Sequence, residues 1–378
     1  MNKKELELSI ILPCRNEEEA LPSCLKEIKE VIHKNKLNAE IIVSDSSIDK
    51  SPEIAKKEEV ILIKHDKEGY GNAYLEAFKH AKGKYIFIAD CDGTYDFKEI
   101  PNFLMSLKEG HDLIIGNRFK GKMEPGSMPF SNKYLGNPLL SFILRLFFFT
   151  KIRDSQSGMR AISKQALEKL NLRTTGMEFA SEMIIKALKS NLKIKEIPIN
   201  YHNRKGKSKL RAFPDAWKHM RFMLLYSPLF LFFIPGLFLL ILGLVSIFWF
   251  YFGNPQIFGI KLYFHPMFLS ALFIIIGYQL IIFSAFAKSY SITHLNEESQ
   301  LMNQLYQYIT IEKASVVGII LAILGATIYL FILVKWLKTS FGNLNEIKNS
   351  IFALTLIIIG IQTIFSSFML SILGIKEK

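Results

Sequence analysis

Two carboxylates, in Asp90-Cys91-Asp92, follow at once on the apolar run YIFIA. Where such a strand ends and the chain turns, both reach a shared cation, one of them through a water. A hard divalent ion such as Mg²⁺ or Mn²⁺ bridges one or two carboxylates and phosphate oxygens, and offsets charge on a leaving phosphate. An acidic triplet alone is common on surfaces; its place after a hydrophobic strand gives this one weight. Asp96, in DGTYDF, reads as a cap for the helix that follows.

A second group has the opposite charge. Residues 202–221 hold seven Lys and Arg against one acid, Asp215. Arg204, Lys207 and Lys209 sit on the Gly-containing turn RKGKSKL, after the strand-like IKEIPINY. A cationic loop of this kind closes over a phosphate, and Arg clamps it through two hydrogen bonds. Lys205, Lys218 and Arg221 also fit the bias of basic residues to the inner side of a membrane.

The elements that must position these groups alternate. Strands are expected at residues 8–13, 40–43, 60–63, 85–89 and 113–115. Helices are expected at 17–33, 51–57, within 69–82 and at 97–108, the first with Leu21, Leu25, Ile28 and Ile32 on one face. Strand and helix in turn argue an α/β fold with a mostly parallel sheet, whose ligands bind at the carboxyl ends of the strands.

Beyond residue 227 the composition changes. The first 226 residues carry 39 of the 47 Lys and Arg and 29 of the 34 Asp and Glu. Four apolar runs follow, at 228–252, 267–287, 314–336 and 351–373. Each suffices to cross a hydrocarbon core of about 30 Å as a helix. Gly318 and Gly325 allow close helix packing, within one chain or between copies in a homo-oligomer. Residues 137–150 (NPLLSFILRLFFFT) are too short to span and read as a helix lying on the bilayer. Residues 213–227 read as an amphipathic lead into the first span, with Trp217 at headgroup level. The charged start MNKKELELSIILP is no signal peptide, which places the first part in the cytoplasm, and four spans return residues 376–378 to that side. Cys14, Cys24 and Cys91 lack metal spacing and read as reduced thiols. Gly69-Tyr70-Gly71 lacks the third glycine of a dinucleotide fingerprint, and there is no P-loop.

Taken together and in order, ILPCRNEEE, VSDSSIDKS, GYGNAYLEAFKHAKG, ADCDGTYDF, IIGNRFKG, DSQSGMRAIS, TTGMEFASEM and IPINYHNRKGKSKL resemble the family-2 glycosyltransferases of the GT-A fold. The likeness is to the dolichyl-phosphate mannose and glucose synthase group and covers about residues 8–240. It implies a Rossmann-like GT-A catalytic domain at 1–212, followed by the four-helix transmembrane domain at 228–378. The implied reaction moves a hexose from UDP-glucose or GDP-mannose to a polyprenyl phosphate, with Mg²⁺ or Mn²⁺, beside a lipid bilayer and with no role for nucleic acid. Pro13, Asn16 and Glu17 would line base and ribose, with Asp45 on the base. Asp90 and Asp92 would hold metal and diphosphate. Arg118 would face sugar or phosphates; Lys133, Arg204, Lys207 and Lys209 would meet phosphates. Glu178 and Glu182 would partner those bases or sugar hydroxyls. Cys14, Ser46-Ser47, Lys133 and Thr94 depart from the residues common at those places. The Q-x-x-R-W motif usual in processive polysaccharide synthases is missing.

Overall fold

The computed structural model describes residues 6–206, 212–257, 259–294 and 311–374. The chain forms two compact units, Met1–Tyr226 and Ser227–Lys378.

In the first unit the strands are β1 (Leu8–Cys14), β2 (Ala39–Asp45), β3 (Ile61–Lys64), β4 (Tyr85–Ile88), β5 (Leu113–Asn117), β6 (Arg160–Ser163) and β7 (Ile194–Pro198). The helices are α1 (Leu21–Lys34), α2 (Ser51–Lys57), α3 (Tyr70–Phe78), α4 (Ile100–Lys108), α5 (Asn137–Phe148), α6 (Lys164–Leu170), α7 (Phe179–Lys189) and α8 (Ala212–Leu225). The sheet order is β3-β2-β1-β4-β6-β5-β7. β1 pairs in parallel with β2 and β4, and β5 with β7. β6 runs antiparallel between β4 and β5, a strand that the alternation of elements does not announce.

Both sheet faces are covered, so β1 is apolar along its length rather than alternating. Leu8, Ile10 and Leu12 meet Leu21, Leu25 and Ile28 of α1, while Ile11 meets Tyr74 and Ala77 of α3 on the other face. Burial at 21, 24, 25, 28 and 31 is the helical spacing that lays α1 on the sheet. Asp96 accepts a hydrogen bond from the Lys98 amide and so caps the turn leading into α4.

α5 has two apolar faces. Leu140 and Leu144 pack into the core, and Leu139, Phe142 and Leu146 stay exposed. Tyr134, Leu135 and Phe149 extend this outer stripe. α8 sends Met223 into the same core and leaves Phe213 and Trp217 exposed.

The second unit holds α9 (Ile234–Phe252), α10 (His265–His294), α11 (Ile311–Lys338) and α12 (Ile347–Gly374). All four helices, the first extended back to Leu229 by a π-turn, are long and apolar enough to cross a membrane. Gly318 and Gly360 meet where α11 crosses α12, and a Cβ on Gly360 would stand 2.5 Å from the Gly318 carbonyl oxygen. Gly325 meets the Ala353 carbonyl in the same way, about two turns further along α11. Polar side chains join helices as well: Gln362 donates to Gln279 at 2.9 Å, and Tyr278 pairs with Thr363.

Candidate active site

The carboxyl ends of β1, β2 and β4 lie side by side, because Cys14 is in register with Asp45 and the Ala89 amide bonds to Ile11. Three loops therefore meet at one edge: 15–20, 46–50 and 89–96. The Asn16 backbone is left-handed (φ 53°), with its amide donating to Ser47 Oγ and its side chain accepting from the Ile48 amide. Pro13 accepts from the Cys91 thiol. The first two loops are thus stitched together before any ligand arrives.

Asp92 opens a tight turn through Gly93 (φ 80°). One carboxylate oxygen accepts from the Thr94 amide (3.0 Å) and hydroxyl (2.5 Å). The other meets Arg204 Nη1 at 2.8 Å. The second arm of Arg204, Nη2, meets Glu17 at 2.7 Å. The arginine arrives here because the segment before it is strapped to the same turn. Tyr201 bridges Tyr95, the His202 amide bonds to the Thr94 carbonyl, and the Lys205 amide bonds to the Asp92 carbonyl.

Asp90 lies beneath Gly158 and Tyr70; a Cβ on Gly158 would stand 2.5 Å from its carboxylate. Burial, and after it the charge of Asp92, push the Asp90 carboxyl up to about 7. Two neighbouring acids that resist sharing negative charge form a seat for a hard cation. Among the described residues no group of three His, Cys, Asp or Glu closes a cage. A seat of two oxygen donors fits an ion that completes its shell with water and phosphate. Asp45 is fully buried, and neither of its carboxylate oxygens has a partner among the described residues. A buried carboxylate in that state calls for a donor from outside the protein.

The expectations for six residues need correction or limits. Arg118 is not free to clamp a phosphate. Its Nε and Nη2 bind Asp154 at 2.9 and 2.8 Å, and both residues are buried. Its positive charge still reaches Asp90. Glu182 is buried and holds the 173–174 turn: it accepts from the Arg173 amide and from the amide and hydroxyl of Thr174, and pairs with Lys186. Sugar hydroxyls find no place on it. Glu178 does stand one turn before Glu182, but its carboxylate lies against Gly176. Lys133 lies over the Tyr134 ring, 5.4 Å from its centroid. No hydrogen bond or ion pair joins it to Asp90, Asp92 or Glu17 among the described residues. Lys207 and Lys209 lie outside the described residues.

In the sequence Thr94 stands out only as a departure from the family pattern, and no role is read for Tyr95 or Arg160. Thr94 fixes Asp92, and a Thr two places after an Asp is the signal for such a turn. Tyr95 receives the Gly158 amide at 2.7 Å. Arg160 is buried and donates to the carbonyls of Ser155, Ser157 and Ala180, which shapes the DSQSG loop over Asp90. The three cysteines are free and buried, and burial pushes the Cys24 thiol up to about 12.

A doubly covered, mostly parallel sheet with an acidic pair after β4, joined to four apolar helices, matches two family models. "Glycosyl transferase family 2" covers residues 9–171, and "Glycosyltransferase family 2 C-terminal transmembrane region" covers 285–374. A Haloferax volcanii protein, the low-salt glycan biosynthesis hexosyltransferase Agl6, is 36% identical over 97% of this chain and 89% of its own length. The chain belongs to glycosyltransferase family 2. Within it, the chain is a membrane hexosyltransferase with a GT-A catalytic unit. Its first part is also similar to the dolichyl-phosphate hexose transferase of Haloferax volcanii, at 30% identity over 55% of this chain and 88% of that protein. The dolichol-phosphate mannosyltransferase of Pyrococcus furiosus is 30% identical over 55% of this chain and 60% of its own length.

Proposed function

We propose that the enzyme transfers a hexose from a nucleoside-diphosphate sugar to a polyprenyl (dolichyl-type) phosphate, with inversion, at the cytoplasmic face of the membrane. The observation that carries this reading is the acidic pair Asp90 and Asp92 facing Arg204 at one sheet edge. Relatives named for dolichyl-phosphate transfer support it. Glucose from UDP-glucose and mannose from GDP-mannose both suit the site; the TTGMEFASEM segment favours the glucose-type branch.

In this reading Asp45 takes an N–H of the base, which relieves its unpartnered carboxylate. Pro13, Asn16 and Glu17 line the nucleoside. Asp90 and Asp92 would hold Mg²⁺ or Mn²⁺, which when bound would supply positive charge to offset that of the leaving diphosphate. Arg204, with Lys207 and Lys209, receives the acceptor phosphate, and Lys133 adds positive charge from the helical turn that leads into α5. A phosphate monoester has its second pKa near ~6, so its oxygen is already a nucleophile at neutral pH and needs no protein base. That oxygen forms the new bond to the anomeric carbon as the bond to the diphosphate breaks, from the opposite side. The protein's part is to hold two anions in line and cancel their repulsion. The exposed stripe of α5 (Leu139, Phe142, Leu146) fits the boundary of headgroups and acyl chains, at the depth where a prenyl phosphate presents its charge.

A donor panel tests this. Purified full-length protein with Mn²⁺ or Mg²⁺ and a polyprenyl phosphate is expected to yield a lipid of increased mass with one hexose donor far better than the rest. Hydrolysis of donor without any glycosylated lipid would overturn the acceptor assignment. The pH dependence is a second expectation. Asp90 holds its proton up to about 7. Proton and cation compete for it, so Mn²⁺ affinity is expected to fall about tenfold per unit below pH 7, as titration calorimetry would read. The unfolded chain loses this proton at the ordinary carboxylate pKa. The folded state therefore holds the extra proton between the two values, and the cation-free fold loses stability as pH rises through that window.

A further inference from the structure

We infer that the ends of three spans form a hexose-binding site, at the membrane face where α9 finishes, and that this site holds the sugar of the lipid product once that lipid has crossed. The assignment to the product rests on the reaction proposed above; the hexose site stands on the cavity alone.

The cavity has a volume of about 470 Å³, within the range of about 300–1,000 Å³ usual for small-molecule sites. It lies just past Phe252, where α9 ends, and just before His265 and Ile347, where α10 and α12 begin. Polar ties frame it. Lys348, in the first turn of α12, donates to the carbonyls of Phe250 (2.6 Å) and Gly253 (3.1 Å) and to Asn254 Oδ1 (3.0 Å), and so caps α9. The Tyr251 hydroxyl donates to Asn349 at 2.7 Å, and Glu346 pairs with Lys335 of α11. Three helices are thereby joined around an open space.

The lining suits an uncharged ring of hydroxyls. Tyr251, Tyr263 and Phe264 supply aromatic faces, and Asn254, Asn345 and Asn349 supply amides. A hexose has a C–H face, which fits the negative face of an aromatic ring. It also has a rim of hydroxyls that donate and accept, as an amide does. Aromatic residues alone would mark only the level of the headgroups; three amides beside them have no such reason. The Asn345 side chain and the Tyr263 hydroxyl have no hydrogen-bond partner among the described residues. Lys348 is committed to carbonyls and Glu346 to Lys335, so a phosphate finds no open cation in the described lining.

The position decides how the sugar arrives. A cavity among helix ends lies at headgroup level, where a lipid presents what it carries. The catalytic unit ends at Tyr226 and α9 starts soon after. In the proposed reaction α9 therefore starts at the cytoplasmic face, and its end is at the other. The lipid made there carries an uncharged ring beyond its phosphate, which matches the lining.

The experiment uses the full-length protein in lipid nanodiscs. Synthetic prenyl-phosphate glucose and prenyl-phosphate mannose, each with a photoactivatable diazirine on the sugar, are the probes. After irradiation, labelled peptides are read by mass. Label is expected within 251–264 or 345–349. The unmodified hexose lipid is expected to displace it at about a tenth of the concentration needed with prenyl phosphate or phosphatidylglycerol. Asn345→Ala combined with Tyr263→Ala is expected to lower this labelling about tenfold. The initial rate of hexose transfer should stay close to wild type in that variant. Tyr263→Trp, which keeps an aromatic face, should label as wild type does. Label confined to residues 1–226 would overturn the inference, and so would displacement by phosphatidylglycerol as readily as by the hexose lipid. Displacement by a free methyl hexoside as readily as by the lipid would support the hexose site and overturn its assignment to the product. The probes are made by synthesis, so a donor panel without any glycosylated lipid would overturn the proposed reaction and the product assignment, while the hexose site is still judged by the label.

Discussion

Asp92→Asn is expected to lower hexose transfer about a hundred- to a thousandfold, the loss typical of removing one preorganised charge that acts on the reacting groups. The fold should persist. The amide oxygen of Asn can still accept from the Thr94 amide and hydroxyl, which now bind one oxygen of Asp92. The amide nitrogen takes the place of the oxygen that meets Arg204 and that, in the proposed reading, would face the cation; it attracts neither. Initial rates with labelled donor and a polyprenyl phosphate, beside circular dichroism of the same preparation, separate chemistry from folding. Turnover within a few-fold of wild type would remove Asp92 from the cation seat.

The second large effect is on stability. Asp154→Ala is expected to cost about 3–5 kcal/mol, because it strands the buried guanidinium of Arg118 without its carboxylate. For a unit of this size that corresponds to a drop in Tm of about 6–20 °C. Asp154 also accepts from the Arg118 backbone amide, so the loop after β5 loses an anchor at the same time. The double change Arg118→Met with Asp154→Leu is expected to recover a substantial part of the loss, since an apolar pair of similar volume carries no desolvation cost. Thermal unfolding of the full chain in detergent reads both. A single substitution as stable as wild type would mean that Arg118 finds another partner. Arg118 would then be available to ligands after all.

The two results together divide the charges of the first unit into those that act on substrates and those that hold the scaffold. The sequence resemblance placed Arg118 and Glu182 in the first group, and their hydrogen bonds place both in the second. Asp90, Asp92, Glu17 and Arg204 do stand together. Tyr95 and Arg160, which orient the loops around them, carry no local pattern strong enough to announce a role.

The sequence alone determined the parts of this protein that depend on short-range periodicity. Buried strands read as apolar runs, α1 as a 3.6-residue repeat, and the spans as stretches too long and too apolar for anything but a helix across a bilayer. It also put an acidic pair at a strand end, because a strand and the turn after it lie within a dozen residues. The tertiary structure alone decided which charges meet. Arg118 finds Asp154 across 36 positions, and Arg204 finds Glu17 across 187. It also inserted β6 antiparallel between β4 and β5. Such partners are chosen by how loops close and by the cost of leaving a charge in a place without water. Both are properties of the assembled chain, and no window of neighbouring residues contains them.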